Sequence, residues 1–210
     1  RRYEQFLRET ARMIDNSDHP NIEIYVSEWN AQSTDWRTGL YAGGMLNGFE
    51  RLGDSLTMGG PALFLRHVSA TGWDNAFINF DQCSWYPAPN YVVMKLWRDH
   101  YAPNRLRMTG ERAGLNVVAT ASGDGDTVHV KVVNPAEEAV EATVELAGDL
   151  GPLEAEMEVV APCSLDARNT LQNARVVRPR RHEVELSGGN ARVTVPALSA
   201  GVLTVHGGPQ

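Results

Sequence analysis

The stretch Asn21-Ile22-Glu23-Ile24-Tyr25-Val26-Ser27-Glu28-Trp29-Asn30 decides how this chain is read. Ile22, Ile24 and Val26 alternate with Glu23, Tyr25 and Ser27, the period of a strand with one apolar face. A strand is therefore expected over Ile22 to Ser27, with Glu28-Trp29-Asn30 just past its end. Upstream, Tyr3, Phe6, Leu7, Thr10 and Ile14 recur at helical spacing, and Asp15 to Pro20 is turn-rich. Downstream, Arg37 to Leu52 returns to helix, with Ala42, Met45, Leu46 and Phe49 on one face and Asp35 placed to cap it. Gly43 and Gly44 weaken that helix by propensity but permit close approach of a neighbour. Gly53-Asp54 fits its stop.

Ala62 to Val68 is an apolar run that predicts a strand buried on both faces. Ala76 to Phe80 predicts another. Pro87 and Pro89 precede a helix over Tyr91 to Tyr101, where Val93, Met94 and Trp97 repeat at helical spacing. Alternating helix and strand signals are those of βα units in a parallel sheet. Such sheets carry their working residues at the C-terminal ends of strands, which is where Glu28 falls. About 105 residues supply only two βα units, too few to close a barrel. A small open sheet or a fragment is expected.

Near Arg105 the character changes. Strands are expected at Leu115 to Ala121, Thr127 to Val133, Val140 to Ala147, Glu154 to Val160, Glu183 to Leu186, Ala191 to Val195 and Val202 to His206. Gly123-Asp124-Gly125-Asp126 is a hairpin turn. Short strands at this spacing predict an antiparallel β-sandwich.

Composition sets the outer bounds. The chain has 210 residues, 42% apolar and 21% charged, as an ordinary globular chain does. No apolar run approaches the roughly 20 residues that span a bilayer, so no membrane partner is expected. Net charge is −7 with dispersed acids. The one basic cluster, Arg175 to Arg181, reads as a solvated loop, and nucleic acid is excluded as a partner on charge balance. Cys83 and Cys163 form no CxxC pair and are expected as two buried thiols. The six histidines show no ligand spacing, so neither metal nor cofactor is implied. His67 reads as a core histidine, and Glu50 and Arg51 as a charged helix edge. The start, Arg1-Arg2-Tyr3-Glu4, leads into an amphipathic stretch and not a signal peptide. It says nothing direct about export, and the localisation is left open with an extracellular one favoured.

Several motifs together carry a resemblance. Tyr25 to Asn30, then Leu46-Asn47-Gly48-Phe49-Glu50-Arg51, Trp73-Asp74-Asn75-Ala76-Phe77-Ile78-Asn79-Phe80-Asp81 and Tyr86-Pro87-Ala88-Pro89-Asn90-Tyr91 resemble the last third of glycoside hydrolase family 51. Asn169-Thr170-Leu171-Gln172-Asn173, Val176 to Pro179 and Pro196-Ala197-Leu198-Ser199 resemble the end of that family's β-sandwich. The resemblance implies α/β followed by all-β: the last βα units of a (β/α)8 barrel over residues 1–105, then a jelly-roll-like antiparallel sandwich over 106–210. It makes Ile22 to Ser27 the seventh barrel strand and places the eighth, with its loop, over Ala62 to Phe80. It implies a retaining α-L-arabinofuranosidase acting on arabinoxylan, arabinan or arabino-oligosaccharides, with Glu28 as nucleophile. The acid/base glutamate of that family sits on an earlier strand, so no residue here takes that role and the chain alone is expected to be inactive.

Expected substrate contacts are Trp29 as an indole wall, Asn30 to sugar hydroxyls, and Trp73, Asn79 and Asp81. Each has a plainer reading: Trp73 as packing, Asn79 as support for loop backbone, Asp81 as a turn cap. Other classes stay open. One is a retaining glycosidase of the same plan with another glycone. Another is a non-catalytic carbohydrate-binding or structural sandwich, against which 106–210 contains no Trp, Tyr or Phe. Self-association through the incomplete barrel is also expected, and light scattering checks it.

Overall fold

The computed structural model describes residues 2–146 and 153–207. The first half holds α1 (Arg2–Asp15), β1 (Ile24–Trp29), α2 (Trp36–Arg51), β2 (Leu56–Pro61), β3 (Leu65–His67), β4 (Ile78–Phe80), β5 (Trp85–Pro87) and α3 (Pro89–Asp99). The second half is strands: β6 (Asn104–Arg105), β7 (Asn116–Ala121), β8 (Thr127–Asn134), β9 (Val140–Glu145), β10 (Leu153–Val160), β11 (Arg180–His182), β12 (Glu185–Ser187), β13 (Asn190–Val195) and β14 (Ser199–Gly207). The expected end of the fourth of these at Ala147 lies outside the described residues.

Two antiparallel sheets face each other: a six-stranded one in the order β11-β10-β14-β8-β7-β6 and a three-stranded one in the order β12-β13-β9. Val130, Val132, Met157, Val193, Leu203 and Val205 fill the space between them. The large sheet's other face is covered too. Trp36 of α2 and Val93 and Trp97 of α3 pack with Val133, Val160 and Val202 in a second core. The six-stranded sheet is thus the middle of three layers, which is why β7 and β8 are buried well beyond simple alternation.

The glycines of α2 permit this packing. A Cβ at Gly43 would lie 2.7 Å from the Val133 side chain, so only glycine lets the helix lie so close to β8. Asp35 caps the helix, accepting from the Arg37 N–H at 3.0 Å. Trp97, fully packed, donates its indole N–H to Asn47 Oδ1 at 2.8 Å.

Close packing also changes the reading of the helix edge. Lys131 on β8 is 0% exposed at its side chain and is paired with Glu50 of α2. Burial raises the Glu50 carboxyl above its ordinary range against the pull of Lys131, and burial lowers the Lys131 ammonium against the pull of Glu50. Arg51 forks onto Glu4 of α1 at 3.0 and 2.6 Å and reaches Asn116 Oδ1 at 2.8 Å. Burial alone would raise the Glu4 carboxyl, but hydrogen bonds and charge from Arg51 and Arg8 lower it to about 2. Neither Glu50 nor Arg51 is a solvated edge, because the neighbours that claim them come from elements distant in sequence.

Three other expectations are corrected. Cys83 and Cys163 are both exposed: they stand in a turn and a loop, not in a core. The run Ala62 to Val68 is not a strand buried on both faces. Only Leu65–His67 is extended, with Leu65 59% exposed, and His67 is half-buried with its ring 2.7 Å from Ser69 Oγ. The parallel neighbour of β1 is β2, whose Met-Gly-Gly-Pro sequence has poor strand propensity. Its glycines are required by the pairing: a Cβ at Gly60 would lie 2.9 Å from the Ser27 carbonyl, and one at Gly59 2.8 Å from the Phe49 ring. Likewise the expected strand Glu183 to Leu186 is extended only from Glu185, as β12 beside β13, while the residues just before it, Arg180–His182, form the unexpected strand β11 beside β10 in the other sheet.

Candidate active site at the end of β1

β1 and β2 pair in parallel with two breaks of register. Between Val26 and Trp29 β1 advances three residues while β2 advances two, from Gly59 to Pro61, so β1 carries one extra residue there. Strict alternation would put Glu28 on the apolar face of Ile24 and Val26 and point Trp29 outward. The bulge reverses this: Ser27 and Glu28 are both exposed, and Trp29 is buried. Glu28 is therefore a free-standing carboxylate at the C-terminal end of a parallel strand.

Trp29 does not offer a sugar wall. It is 5% exposed and packs edge-on against Phe49 and Phe77, at ring separations of 5.8 and 5.4 Å. Its indole N–H is buried without a protein partner among the described residues.

Asn30 is likewise engaged. Its amide donates to the Ala62 carbonyl at 2.9 Å and the Asn75 carbonyl at 2.8 Å. Its Oδ1 accepts from the Ala31 N–H at 2.8 Å and from Asn90 Nδ2 at 3.2 Å. Two donors and two acceptor positions are all an amide side chain has, so none is left for a sugar hydroxyl. Asn75 returns a hydrogen bond to the Ala31 carbonyl at 2.6 Å, and Asn90 takes the Tyr91 N–H at the start of α3. The network fastens the end of β1 to the 62–75 loop and to α3. Asn75 and Asn90 were not singled out in the sequence, where an asparagine in a loop or behind Pro89 looks like ordinary turn chemistry.

The remaining residues divide. Asp81 accepts from the Cys83 and Ser84 N–H groups at 2.8 and 2.7 Å, the turn-cap arrangement, and these bonds hold its carboxyl below the usual range. Asn79 on β4 is 2% exposed. Its Nδ2 makes one long bond to the Ala76 carbonyl at 3.4 Å, and its Oδ1 has no partner. Trp73, between β3 and β4, is 74% exposed and stands two residues from Asn75, hence on the segment tied to β1. Among the described residues, no group of three or more His, Cys, Asp and Glu is arranged to hold a metal, and no helix is long and apolar enough to cross a membrane.

The same architecture occurs in solved glycoside hydrolases. A crystal structure of an α-L-arabinofuranosidase from Thermotoga maritima in complex with arabinose superposes with a TM-score of 0.82 at 19% identity, over 97% of this chain and 48% of that one. The catalytic domain of a GH30 xylanase C from Talaromyces cellulolyticus superposes at 0.66 and 14% identity, over 90% of this chain and 41% of that one. In sequence, the probable α-L-arabinofuranosidase A of Aspergillus flavus is 26% identical over 199 residues, 92% of this chain and 31% of that protein. The family model for the α-L-arabinofuranosidase C-terminal domain matches residues 17–199. The chain belongs to that family, and the resemblance to the C-terminal part of the family 51 enzymes is borne out. It spans about a third of the length of the curated relatives it matches.

Proposed function

We propose that this chain is the C-terminal part of a retaining α-L-arabinofuranosidase and that Glu28 is its nucleophile. The observation that carries the reading is the bulge in β1, which turns one carboxylate outward at the C-terminal end of a parallel strand. In an α/β barrel that end is where catalysis is built. On this reading residues 1–105 are the last part of a barrel, with β1 as its seventh strand and β2, which precedes the segment Ala62 to Phe80 where the eighth was expected, as its eighth, and 106–210 form the supporting sandwich. Double displacement needs two carboxyl groups about 5–5.5 Å apart. Glu28 attacks the anomeric carbon, and an acid on an earlier strand protonates the departing oxygen and then activates water. Trp73 lines the sugar site, the unpartnered Oδ1 of Asn79 accepts from a hydroxyl, and Asp81 shapes the turn behind it. Substrates are terminal arabinofuranosyl groups of arabinoxylan, arabinan or short arabino-oligosaccharides.

In the full-length enzyme, Glu28→Ala lowers turnover of arabino-oligosaccharides by more than about a thousandfold, and azide restores part of the rate on an aryl arabinofuranoside. Wild-type turnover in that variant removes Glu28 from the chemistry. A second reading, another glycone on the same plan, draws on the likeness to the xylanase fold. Faster hydrolysis of aryl β-xyloside than of aryl α-L-arabinofuranoside selects it. The non-catalytic sandwich is disfavoured because both faces of its large sheet are covered, by helices and by the second sheet.

A further inference from the structure

A groove of about 530 Å3 lies between α3 and the segment 174–179, and neither Glu28 nor the asparagine network lines it. Val92 and Leu96 of α3 and Val177 give it an apolar floor. Trp85 of β5 stands at its margin, 57% exposed. The opposite side carries Arg175 and Arg178, both exposed.

The two sides are held in place by one buried side chain. Asn169 is 3% exposed and donates to the Pro87 carbonyl and the Val177 carbonyl, each at 3.0 Å. Its Oδ1 accepts from the Val177 N–H at 2.8 Å. The strand that carries Trp85 and the segment that carries the arginines are thus clamped by a single amide, and the groove is preformed. Of its other charges, Lys95 pairs with Asp99 at 2.5 Å, and the Glu158 carboxylate, on the α3 side, stands 3.6 Å from His100 Nε2. Among the described residues, no carboxylate pairs with Arg175 or Arg178. On a chain of net charge −7 these two unpaired guanidinium groups make a local cationic spot beside an open indole.

We infer that this groove is a second carbohydrate-binding site, one that takes a uronic acid unit of a glycan chain. An exposed indole offers a stacking face to the C–H side of a sugar ring. A guanidinium fork matches a carboxylate with two parallel hydrogen bonds and discriminates it from a hydroxyl. The volume suits a few sugar units and is too small for a folded partner. The basic cluster of the sequence is in this view a recognition element, not a solvated loop. The inference is independent of the role of Glu28, because it concerns binding without turnover.

Calorimetric titration of the protein with hexagalacturonate and with xylohexaose, a neutral chain of equal length, tests it. Hexagalacturonate binds at least about tenfold tighter, and the margin shrinks as salt screens the arginines. Trp85→Ala weakens hexagalacturonate binding about tenfold. Arg175→Gln with Arg178→Gln brings it down to the level of the neutral chain. The thermal midpoint is unchanged in these variants, since all three side chains are exposed. Saturating arabinose leaves the titration as it was, which separates this groove from the end of β1. Equal binding of the two oligosaccharides, displacement by arabinose, or full affinity in Trp85→Ala overturns the inference. So does a dimer in sedimentation that Trp85→Ala dissociates, which assigns the groove to a second copy of the chain.

Discussion

Removing the Glu50 carboxylate isolates the ammonium of Lys131. Lys131 has no exposed side-chain surface, whereas Glu50 keeps 23% of its own. The two halves of this pair are therefore unequal. Glu50→Ala leaves a charge with neither partner nor water, and a broken buried pair costs about 3 kcal/mol at the lower end of the usual range. In a chain of this size that lowers the thermal midpoint by roughly 6–12 °C. Lys131→Met leaves a carboxyl group whose Oε2 is already buried without a partner among the described residues, but burial raises its pKa and it sheds its charge by taking up a proton, so the cost is smaller, about 1–2 kcal/mol. Combining Lys131→Met with Glu50→Leu fills the same space with apolar groups and returns stability to within about 1 kcal/mol of the parent. Urea unfolding at neutral pH of the parent, Glu50→Leu, Lys131→Met and the double variant closes a double-mutant cycle, with a coupling energy of about 3 kcal/mol or more. The pH dependence follows from the sign of the lysine shift. Its folded pKa is depressed, so above that value the unfolded chain binds a proton that the folded chain does not. Stability then rises with pH up to the unfolded value. Loss of Glu50 depresses the lysine further, so the Glu50→Ala defect shrinks as pH rises from the variant's folded value to the parent's and is level above that. A cost under about 1 kcal/mol for Glu50→Ala, or a defect that grows with pH, refutes the account of Lys131 as a buried, pair-dependent charge.

Two further changes probe the joints around the site. Asn30→Asp cannot donate to the Ala62 and Asn75 carbonyls, and a loss of about 2–4 kcal/mol is expected in urea melts, with wild-type stability counting against the amide network as a structural knot. Glu4, lowered to about 2 from 4.5, contributes stability that is present above its ordinary pKa and is lost as pH falls from 4.5 toward 2. With 22% of its side chain exposed, screening holds that contribution to about 1–2 kcal/mol, and the stability gap between wild type and Glu4→Gln should close across that window.

How much of this was legible depends on how local each cause is. Period-two alternation marked most strands of the sandwich to within a residue or two, because one face of each strand meets the facing sheet. The hairpin turn at Gly125, with φ of 84°, followed from glycine chemistry alone. Helix starts followed as well, since Asp35 and Pro89 act on their own neighbours. β2 was invisible: Gly59 and Gly60 lower strand propensity locally, and their purpose lies in Ser27 and Phe49 across the pairing. The same holds at the site. Glu28 was found because a carboxylate after a strand is a local pattern. Trp29 and Asn30 were misjudged because the bulge that buries one, and the 62–75 loop and α3 that take up the amide of the other, are not local.

By itself, the order of residues determined where the helices and most strands of the sandwich begin, that an α/β half precedes an all-β half, and that Glu28 lies at the C-terminal end of a strand, although β1 runs two residues later than expected and includes it. Those properties rest on backbone conformation and on which face of an element is apolar, and both are set within a few residues. Only the tertiary structure decided which side of β1 presents Glu28. The extra residue between Val26 and Trp29 reverses side-chain parity, and that reversal is defined by the register against β2. It also decided that Lys131 and Glu50 are a buried pair and that Asn30 is a knot. A long polar side chain reads as solvated until a partner from a distant element fixes its surroundings, and that partner arrives only when α2 lies down on β8 and the loops close over the end of β1.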